Sequence, residues 1–233
     1  MKIFIGWDSR EDIAYQVCKE SLLRHTSIPL DIQPIKQTDL REQNLYWREH
    51  DPLSSTEFSF TRFLTPYLAG YKGWALFMDC DFLWRGDVAG VMDYADPKYA
   101  VLCVKHKYKP KETTKMDGHA QYKYPKKNWS SLMLLNCEHP DVKQNLTLMG
   151  VNIGTGMYLH QFRWTLEENI GELPIAYNYL EGWHTKNVCP NPVAVHFTRG
   201  GPWFQDWHDV EYGNEWLEAA KDFGNGQKIH QAN

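Results

Sequence analysis

Two aspartates separated by a single residue are the first candidates for chemistry in this chain of 233 residues. Asp79 and Asp81 follow directly after five apolar residues. Alternate side chains of an extended chain share one face, so we expect both carboxylates to point the same way while Cys80 points into the core. Two like charges at this spacing raise each other's pKa unless a cation neutralises them. The alternative is a chance Asp-x-Asp tripeptide in a turn or helix cap, but the position at the end of an apolar run predicts a divalent metal site.

The apolar run before the aspartates indicates where such a site would lie. Residues 74–78 read Trp-Ala-Leu-Phe-Met without interruption, which is typical of a strand covered on both faces, as in a parallel sheet. Open α/β sheets bind ligands at the carboxyl ends of their strands. The aspartates are therefore expected at the ligand-binding edge of a sheet.

The rest of the pattern predicts one α/β domain over residues 1–233. It begins as strand, helix, strand, with a strand at 2–7, a helix that starts after Asp8, and a strand at 30–35, followed by a polar loop to residue 52. Residues 54–68 predict a helix with a capping box and a kink at Pro66. Further strands are expected at 99–104, 131–135 and 192–197, and further helices at 141–149 and 214–223.

Composition and charge exclude several classes of function. The chain is 42% hydrophobic and 23% charged, as in ordinary globular proteins, and no apolar stretch approaches the roughly 20 residues of a membrane span. A net charge of −4 argues against a nucleic-acid partner. The five cysteines include no C-x-x-C pair, which predicts buried, reduced thiols. No signal-like segment opens the chain, and we expect a cytoplasmic protein.

One segment departs from this acidic balance. Residues 105–127 carry eight lysines against one glutamate and one aspartate. A local basic segment in an acidic protein predicts a local anionic partner, either a diphosphate or an acidic acceptor. The alternative is a solvated loop, since long loops without clear periodicity are either functional or disordered.

Three stretches resemble a known enzyme family. Residues 58–68 and 74–87 are similar to the central block of GT-A glycosyltransferases related to glycogenin and the bacterial family-eight galactosyltransferases. Residues 195–203, Val-His-Phe-Thr-Arg-Gly-Gly-Pro-Trp, resemble the family's H-x-x-G-x-x-K-P-W signature. The resemblance implies a Rossmann-like GT-A fold for nucleotide-diphospho-sugar transfer, with a mixed, mostly parallel central sheet flanked by helices.

The resemblance also implies a metal centre. In this family Asp79, Asp81 and His196 would share one Mn²⁺ (or Mg²⁺) ion that bridges the diphosphate of a nucleotide sugar. Oxygen ligands with one imidazole suit Mn²⁺ better than Mg²⁺, and a Lewis acid stabilises the departing diphosphate. For His196, the alternative is a structural histidine at the end of an apolar run.

Two arginines are candidates for binding the donor's phosphates. Arg62 stands where family members carry a basic residue, and it is expected to act with Asp79 and Asp81 in catalysis; the alternative is a solvated helix arginine. The lysine of the family signature is missing, and Arg199 is expected to replace it, because a guanidinium can hold phosphate oxygens bidentately.

Other donor contacts are expected along the same face. Gly6, Trp7 and Asp8 end the first strand, which flanks the nucleobase in this fold, although Asp8 can instead cap the next helix. Uracil is the default base, but the family's usual Asn-Tyr pair is absent here. The remaining expected contacts are Cys80, Lys115, Asp117, Ser130, Ser131, Gly201 and Trp203.

These expectations lead to one function and two rivals. The first is metal-dependent transfer of a sugar from a nucleotide sugar, with retention, to a glycan, small molecule or lipid-linked sugar. The second is a sugar nucleotidyltransferase, although residues 6–10 are not the Gly-rich phosphate loop of that class. The third is an inactive nucleotide-sugar or carbohydrate-binding module.

Overall fold

A computed structural model describes residues 1–49, 51, 54–107 and 125–226 of the chain. The strands in these ranges are β1 (Lys2–Gly6), β2 (Asp31–Ile35), β3 (Trp74–Met78), β4 (Phe82–Trp84), β5 (Val101–Cys103), β6 (Leu132–Asn136), β7 (Ile170–Glu172), β8 (Tyr179–Leu180) and β9 (Ala194–His196). The α-helices are α1 (Asp12–His25), α2 (Gln37–Glu42), α3 (Thr65–Leu68), α4 (Pro140–Asn145), α5 (Leu148–Ile153), α6 (Gly156–His160) and α7 (Gly213–Gly226).

The chain opens with the predicted strand, helix and strand. Asp8 caps a 3₁₀ turn at Ser9–Glu11 by accepting from the backbone N–H of Arg10, and α1 follows. The buried residues of α1 recur at helical spacing, which places one face of the helix against the interior: they are Ala14, Tyr15, Val17, Cys18, Ser21 and Leu22. Strand β2 then returns parallel to β1.

The central sheet has six strands in the order β2-β1-β3-β6-β5-β7. Strand β1 pairs in parallel with β2 and β3, and β5 pairs in parallel with β7. Only β6 runs antiparallel, to both of its neighbours. The expected mixed, mostly parallel sheet is therefore confirmed.

A second, small sheet has the order β4-β9-β8. Strand β4 begins one residue after Asp81 and pairs antiparallel with β9, which places Phe82 opposite His196. The strand expected at 192–197 is thus present, shortened to three residues, but it belongs to this small sheet. The small sheet covers a second apolar cluster that includes Val17 of α1 and Trp216 of α7.

The helix predicted at 54–68 is wrong in most of its length. The structure has turns from residue 55, then a 3₁₀ helix at Thr61–Leu64, and only then α3. Pro66 lies in the first turn of α3, where its missing N–H costs nothing, and it begins a helix instead of bending one. The predicted capping box does not form, because the Glu57 carboxylate accepts from Ser9 Oγ at 2.5 Å.

Two other elements differ from expectation. The polar stretch predicted as loop contains the short helix α2. The helix expected at 141–149 is two helices, because Thr147 caps α5 by accepting from the N–H of Gly150. All five cysteines are buried free thiols, as predicted. Within the described ranges no helix has the length and apolar character to span a membrane.

Candidate active site

The site lies where β3 ends beside the start of β6. Because β6 is antiparallel to β3, Met78 pairs with Leu132, and the N–H of Asp79 donates to the carbonyl of Ser131 at 2.9 Å. The side chain of Cys80 is fully buried, and its thiol donates to Glu11 Oε2 at 3.7 Å. Cys80 therefore faces the interior between two carboxylates that face a cavity, as the strand alternation predicted.

Asp79, Asp81 and His196 bring three potential ligand atoms together. One ligand atom from each lies within 4.8 Å of the other two. The two aspartates reach the site from the end of β3, whereas His196 reaches it from the last residue of β9. The pairing of β4 with β9 is what joins these distant segments of the chain.

The orientation of His196 follows from its hydrogen bonds. Ser131 Oγ donates to the carbonyl of Asn128 at 2.7 Å, so it must accept from Asn178 Nδ2, which lies 2.9 Å away. The amide oxygen of Asn178 then faces His196 Nδ1 at 3.0 Å. Nδ1 must carry the proton of this hydrogen bond. The lone pair of a neutral His196 is thereby assigned to Nε2.

That lone pair points at a carboxylate. His196 Nε2 lies 3.1 Å from Asp81 Oδ1, and the ring stacks on Phe82 at 4.3 Å between centroids. A lone pair and a carboxylate oxygen repel each other unless a proton or a cation lies between them. The donor set of two carboxylates and one oriented imidazole fits a divalent ion such as Mn²⁺, and Asn178 is its outer support.

Arg62 is a buried partner of the metal-site carboxylate and not a solvated helix arginine. Its Nη1 lies 2.7 Å from Asp79 Oδ1 and also donates to the carbonyl of Ser130 at 3.0 Å. Its Nε donates to the carbonyl of Ser59 at 3.2 Å. The guanidinium therefore ties the start of β6 to the 54–64 segment and fixes the position of Asp79.

A cavity of about 450 Å³ opens beside these groups. Ligand pockets commonly measure about 300–1,000 Å³. The cavity is lined by polar and apolar residues from five segments: Asp51, Ser54, Ser55, Thr56, Ser59, Phe60, Arg62, Asp79, Asp81, Lys127, Asn128, Ser130, Ser131, Gly156, Met157, His160, Gln161, His196 and Thr198. The predicted residues Arg62, Ser130 and Ser131 are thus brought to the same cavity as Asp79, Asp81 and His196.

His160 is a cavity residue that sequence reasoning missed. Its Nδ1 lies 2.9 Å from Ser130 Oγ, and its ring packs edge-on against Phe63. Burial, helped by the charge of Arg62, lowers the pKa of His160 to about 3, so the ring is neutral at physiological pH. It stands in no recognisable motif, which is why its type and spacing gave no signal.

Gly6, Trp7 and Asp8, at and just after the end of β1, contact other residues of the protein. The Asp8 carboxylate is fully buried and accepts from Arg10 and from the N–H of Glu57 at 3.1 Å; together these bonds lower its pKa against the effect of burial. Trp7 donates to Asp12 at 2.7 Å and lies under the ammonium of Lys36. A Cβ on Gly6 would meet the ring of Phe58 at 2.3 Å. Contacts of these residues with a nucleobase stay predictions.

The residues expected after His196, namely Arg199, Gly201 and Trp203, do not line this cavity. Arg199 is held by Glu181, 2.9 Å away, and borders a small pocket of about 20 Å³ together with Asp81 and Glu11. Trp203 packs against Trp216 at 5.5 Å in the second apolar cluster. A Cβ on Gly201 would collide with the Trp203 ring, so this glycine allows the indole to pack. Lys115 and Asp117 lie outside the described residues.

Comparison with known proteins gives one sequence relative and several structural ones. No model of a known protein family matches the chain. The chain is 52% identical over 230 residues to Protein CDI of Arabidopsis thaliana, a match that covers 97% of this chain and 88% of the Arabidopsis protein.

Three similar solved structures are of glycosyltransferases. The bifunctional glycosyltransferase WbbM matches with a TM-score of 0.64 and 13% identity over 98% of this chain, and the galactosyltransferase LgtC with 0.62 and 11% over 100% of it. GlyE of Streptococcus pneumoniae TIGR4 matches with 0.61 and 15% over 97%. The chain spans 98% of LgtC but only 52% of WbbM and 62% of GlyE. These matches confirm the GT-A fold; a particular likeness to glycogenin stays a prediction.

Proposed function

We propose that this chain, which belongs to the protein family of Protein CDI from Arabidopsis thaliana, is a metal-dependent glycosyltransferase that uses a nucleoside diphosphate sugar. One observation carries the proposal. Asp79, Asp81 and the oriented His196 lie close together in the lining of a cavity of ligand size. The GT-A fold supports it, since WbbM, GlyE and LgtC, which share this fold with the chain, are glycosyltransferases.

The donor we propose is a uridine diphosphate sugar, and the metal Mn²⁺. Asp79, Asp81 and His196 would hold the ion, and a bound divalent cation would supply Lewis-acid stabilisation of the diphosphate. Mn²⁺ is favoured over Mg²⁺ because one of the three ligands is an imidazole nitrogen. The base rests on the family resemblance and is the part that a ligand screen must decide.

The proposed reaction moves a glycosyl group to an acceptor hydroxyl. The bond between the anomeric carbon and the phosphate oxygen breaks, its electron pair stays on the phosphate, and the acceptor oxygen forms the new bond and gives up its proton. The described residues that line the cavity include three carboxylates: Asp51, Asp79 and Asp81. Since Asp79 and Asp81 belong to the metal site, we propose departure and attack on one face, with the proton passing to the leaving phosphate and the configuration retained.

Arg62 has a defined part in this scheme. It fixes Asp79 through a 2.7 Å contact and lines the cavity in which the donor would bind. The fixed position of a metal ligand lowers the cost of assembling the site when the ion arrives. Arg62 would also face the donor's anionic groups, as the resemblance implies.

The acceptor and the compartment complete the proposal. The acceptor class is a glycan, a small molecule or a lipid-linked sugar. Five free thiols without a disulfide fit a reducing compartment, and we propose the cytoplasm. No nucleic acid takes part, in keeping with the net charge of −4.

The test is a panel of nucleotide sugars with and without Mn²⁺. Wild-type protein should hydrolyse or transfer one of them only with the metal, and Asp79→Ala, Asp81→Ala and His196→Ala should each abolish this activity. Asp96→Ala, which removes an exposed carboxylate paired with Lys98, is the matched control and should keep full activity. Activity that survives both site aspartate substitutions would refute the metal assignment. Release of pyrophosphate from a sugar 1-phosphate and a nucleoside triphosphate would favour a nucleotidyltransferase instead.

A further inference from the structure

Four exposed apolar side chains come from two segments that the fold holds together. Among the described residues, eight large apolar side chains are exposed, and four of these are Trp47, Met149, Ile153 and Met157, which are 48%, 57%, 67% and 53% exposed. A single exposed apolar side chain is ordinary in a folded protein, whereas a group of them marks a surface that contacts a partner.

Hydrogen bonds join the segment that carries Trp47 to helix α5. Asn152 Oδ1 accepts from the N–H of Trp47 at 2.8 Å. Arg48 Nη1 donates to three carbonyls at and just after the end of α5, at distances of 2.6–3.1 Å: those of Val151, Asn152 and Gly154. These bonds satisfy carbonyls that the end of a helix leaves without an internal partner, and they fix Trp47 beside α5.

Helices α5 and α6 carry the other three side chains. Met149 and Ile153 lie four positions apart on α5 and therefore share one face of the helix. Both are exposed, whereas Val151 is fully buried, so the helix has one face for the core and a second apolar face outside it. Met157 extends this surface onto α6 and also lines the cavity. The four side chains, which we call the α5–α6 face, therefore reach the edge of the cavity.

The charges around the α5–α6 face favour one kind of partner. Residues 142–166 contain no aspartate or glutamate, although the whole chain has 29 acidic residues against 25 lysines and arginines. This stretch contains Lys143 and Arg163, and both residues are exposed. Asn145 Nδ2 donates to the carbonyl of Trp164 at 2.8 Å, which brings the segments of the two cations together. The apolar surface is thus accompanied by positive charge in a chain that is acidic as a whole.

We propose that the α5–α6 face binds a membrane surface that contains anionic lipids. Tryptophan and aliphatic side chains enter the boundary between lipid headgroups and acyl chains, and the cations attract anionic headgroups. A second copy of the chain fits less well, because a two-fold interface places the same face against itself and brings like cations together. One consequence rests on the proposed function: a membrane-bound face at the edge of the cavity favours the lipid-linked sugar among the three acceptor classes.

The test is flotation of the full chain with vesicles made of equal amounts of phosphatidylcholine and phosphatidylserine. Wild-type protein should float with these vesicles, and less with vesicles of phosphatidylcholine alone. Ile153→Gln replaces an apolar side chain that does not line the cavity, and should weaken vesicle binding about tenfold. Leu23→Gln changes an apolar residue exposed on α1; it is the matched control and should stay within about twofold of wild type.

Several outcomes would overturn this proposal. They are no flotation of wild-type protein, undiminished flotation of Ile153→Gln, an equal loss in Leu23→Gln, and equal flotation with both kinds of vesicle. A dimer in solution that Ile153→Gln dissociates would also overturn it, because a second copy would then cover the face.

Nucleotide binding separates this proposal from the proposed function. Ile153→Gln should bind UDP with Mn²⁺ as wild type does, because the cavity lining is unchanged, and normal UDP binding also shows that the variant is folded. Failure of wild-type protein to bind any of UDP, GDP, CDP or ADP with Mn²⁺ overturns the proposed function, whereas flotation of that same protein would still support the membrane surface.

Discussion

Asn178→Ala is the sharpest test of how the metal site is built. Asn178 is fully buried; it accepts from His196 Nδ1 at 3.0 Å and donates to Ser131 Oγ at 2.9 Å. Without it, this hydrogen bond no longer holds the proton of His196 on Nδ1 or fixes the orientation of the ring. Loss of such an outer partner typically weakens metal binding about 10- to 100-fold, which corresponds to about 1.4–2.8 kcal/mol.

The substitution also costs stability, which a matched variant can separate from the metal effect. The buried donor at His196 Nδ1 loses its acceptor, at a cost of about 1–3 kcal/mol, while Ser131 Oγ keeps its bond to Asn128. Asn152 is another buried amide, and it accepts from the N–H of Trp47 at 2.8 Å and donates to two carbonyls away from the cavity. Asn152→Ala should lose comparable stability and leave metal binding unchanged.

Titration of Mn²⁺ in the presence of UDP, with chemical denaturation in parallel, measures both effects. The expected pattern is a similar loss of unfolding free energy in the two variants, with weaker metal binding only in Asn178→Ala. The smallest expected loss of Mn²⁺ affinity in Asn178→Ala is about tenfold. If the affinity stays within about twofold of wild type, the orientation argument for His196 is refuted.

Three further predictions concern the surroundings of the site. Arg62→Met leaves Asp79, which is 14% exposed, without its guanidinium, so thermal unfolding should show a loss of about 3–5 kcal/mol. Because Arg62 also fixes the position of Asp79, Mn²⁺ should stabilise this variant less than wild type; equal stabilisation would contradict the pairing. Gly6→Ala places a Cβ 2.3 Å from the ring of Phe58 and should lower the free energy of unfolding in urea by about 1–3 kcal/mol. In Gly70→Ala the Cβ meets no atom within 4 Å, so this variant tests backbone strain alone. In the folded protein the pKa of His160 is about 3, against an ordinary value of 6.5. The free energy of unfolding should therefore fall as the pH drops from 6.5 towards 3, by at most about 1.4 kcal/mol per pH unit. Denaturation of His160→Gln at a series of pH values should show a smaller dependence on pH.

The sequence was most informative where a local pattern had a single structural solution. The apolar run at 74–78 followed by Asp79 predicted a buried strand that ends at a ligand-binding edge, and β3 ends at Met78. The alternation around Cys80 predicted its burial, because a strand leaves each side chain only two directions.

The failures arise where tertiary contacts override local preference. Glu57 was expected to cap a helix with Ser54. Its carboxylate instead accepts a hydrogen bond from Ser9, which lies 48 positions earlier in the chain. Arg199 was expected to be available to phosphate, but the sequence carries no sign that Glu181 would pair with it. Lys127 and His160 line the cavity in the folded protein. Their place there could not be predicted from the sequence, because neither belongs to a spaced motif.

The pairing of β4 with β9 has a consequence for the chain as it is made. All six strands of the central sheet lie before residue 173, whereas His196 ends the last strand of the small sheet. At about 5–20 residues per second, a ribosome adds His196 roughly 6–23 seconds after Asp81. A chain that ends before His196 can therefore contain the whole main sheet while it still lacks one of the three groups proposed to hold the metal. Premature release between residues 173 and 195 would yield a protein with every strand of that sheet but without His196.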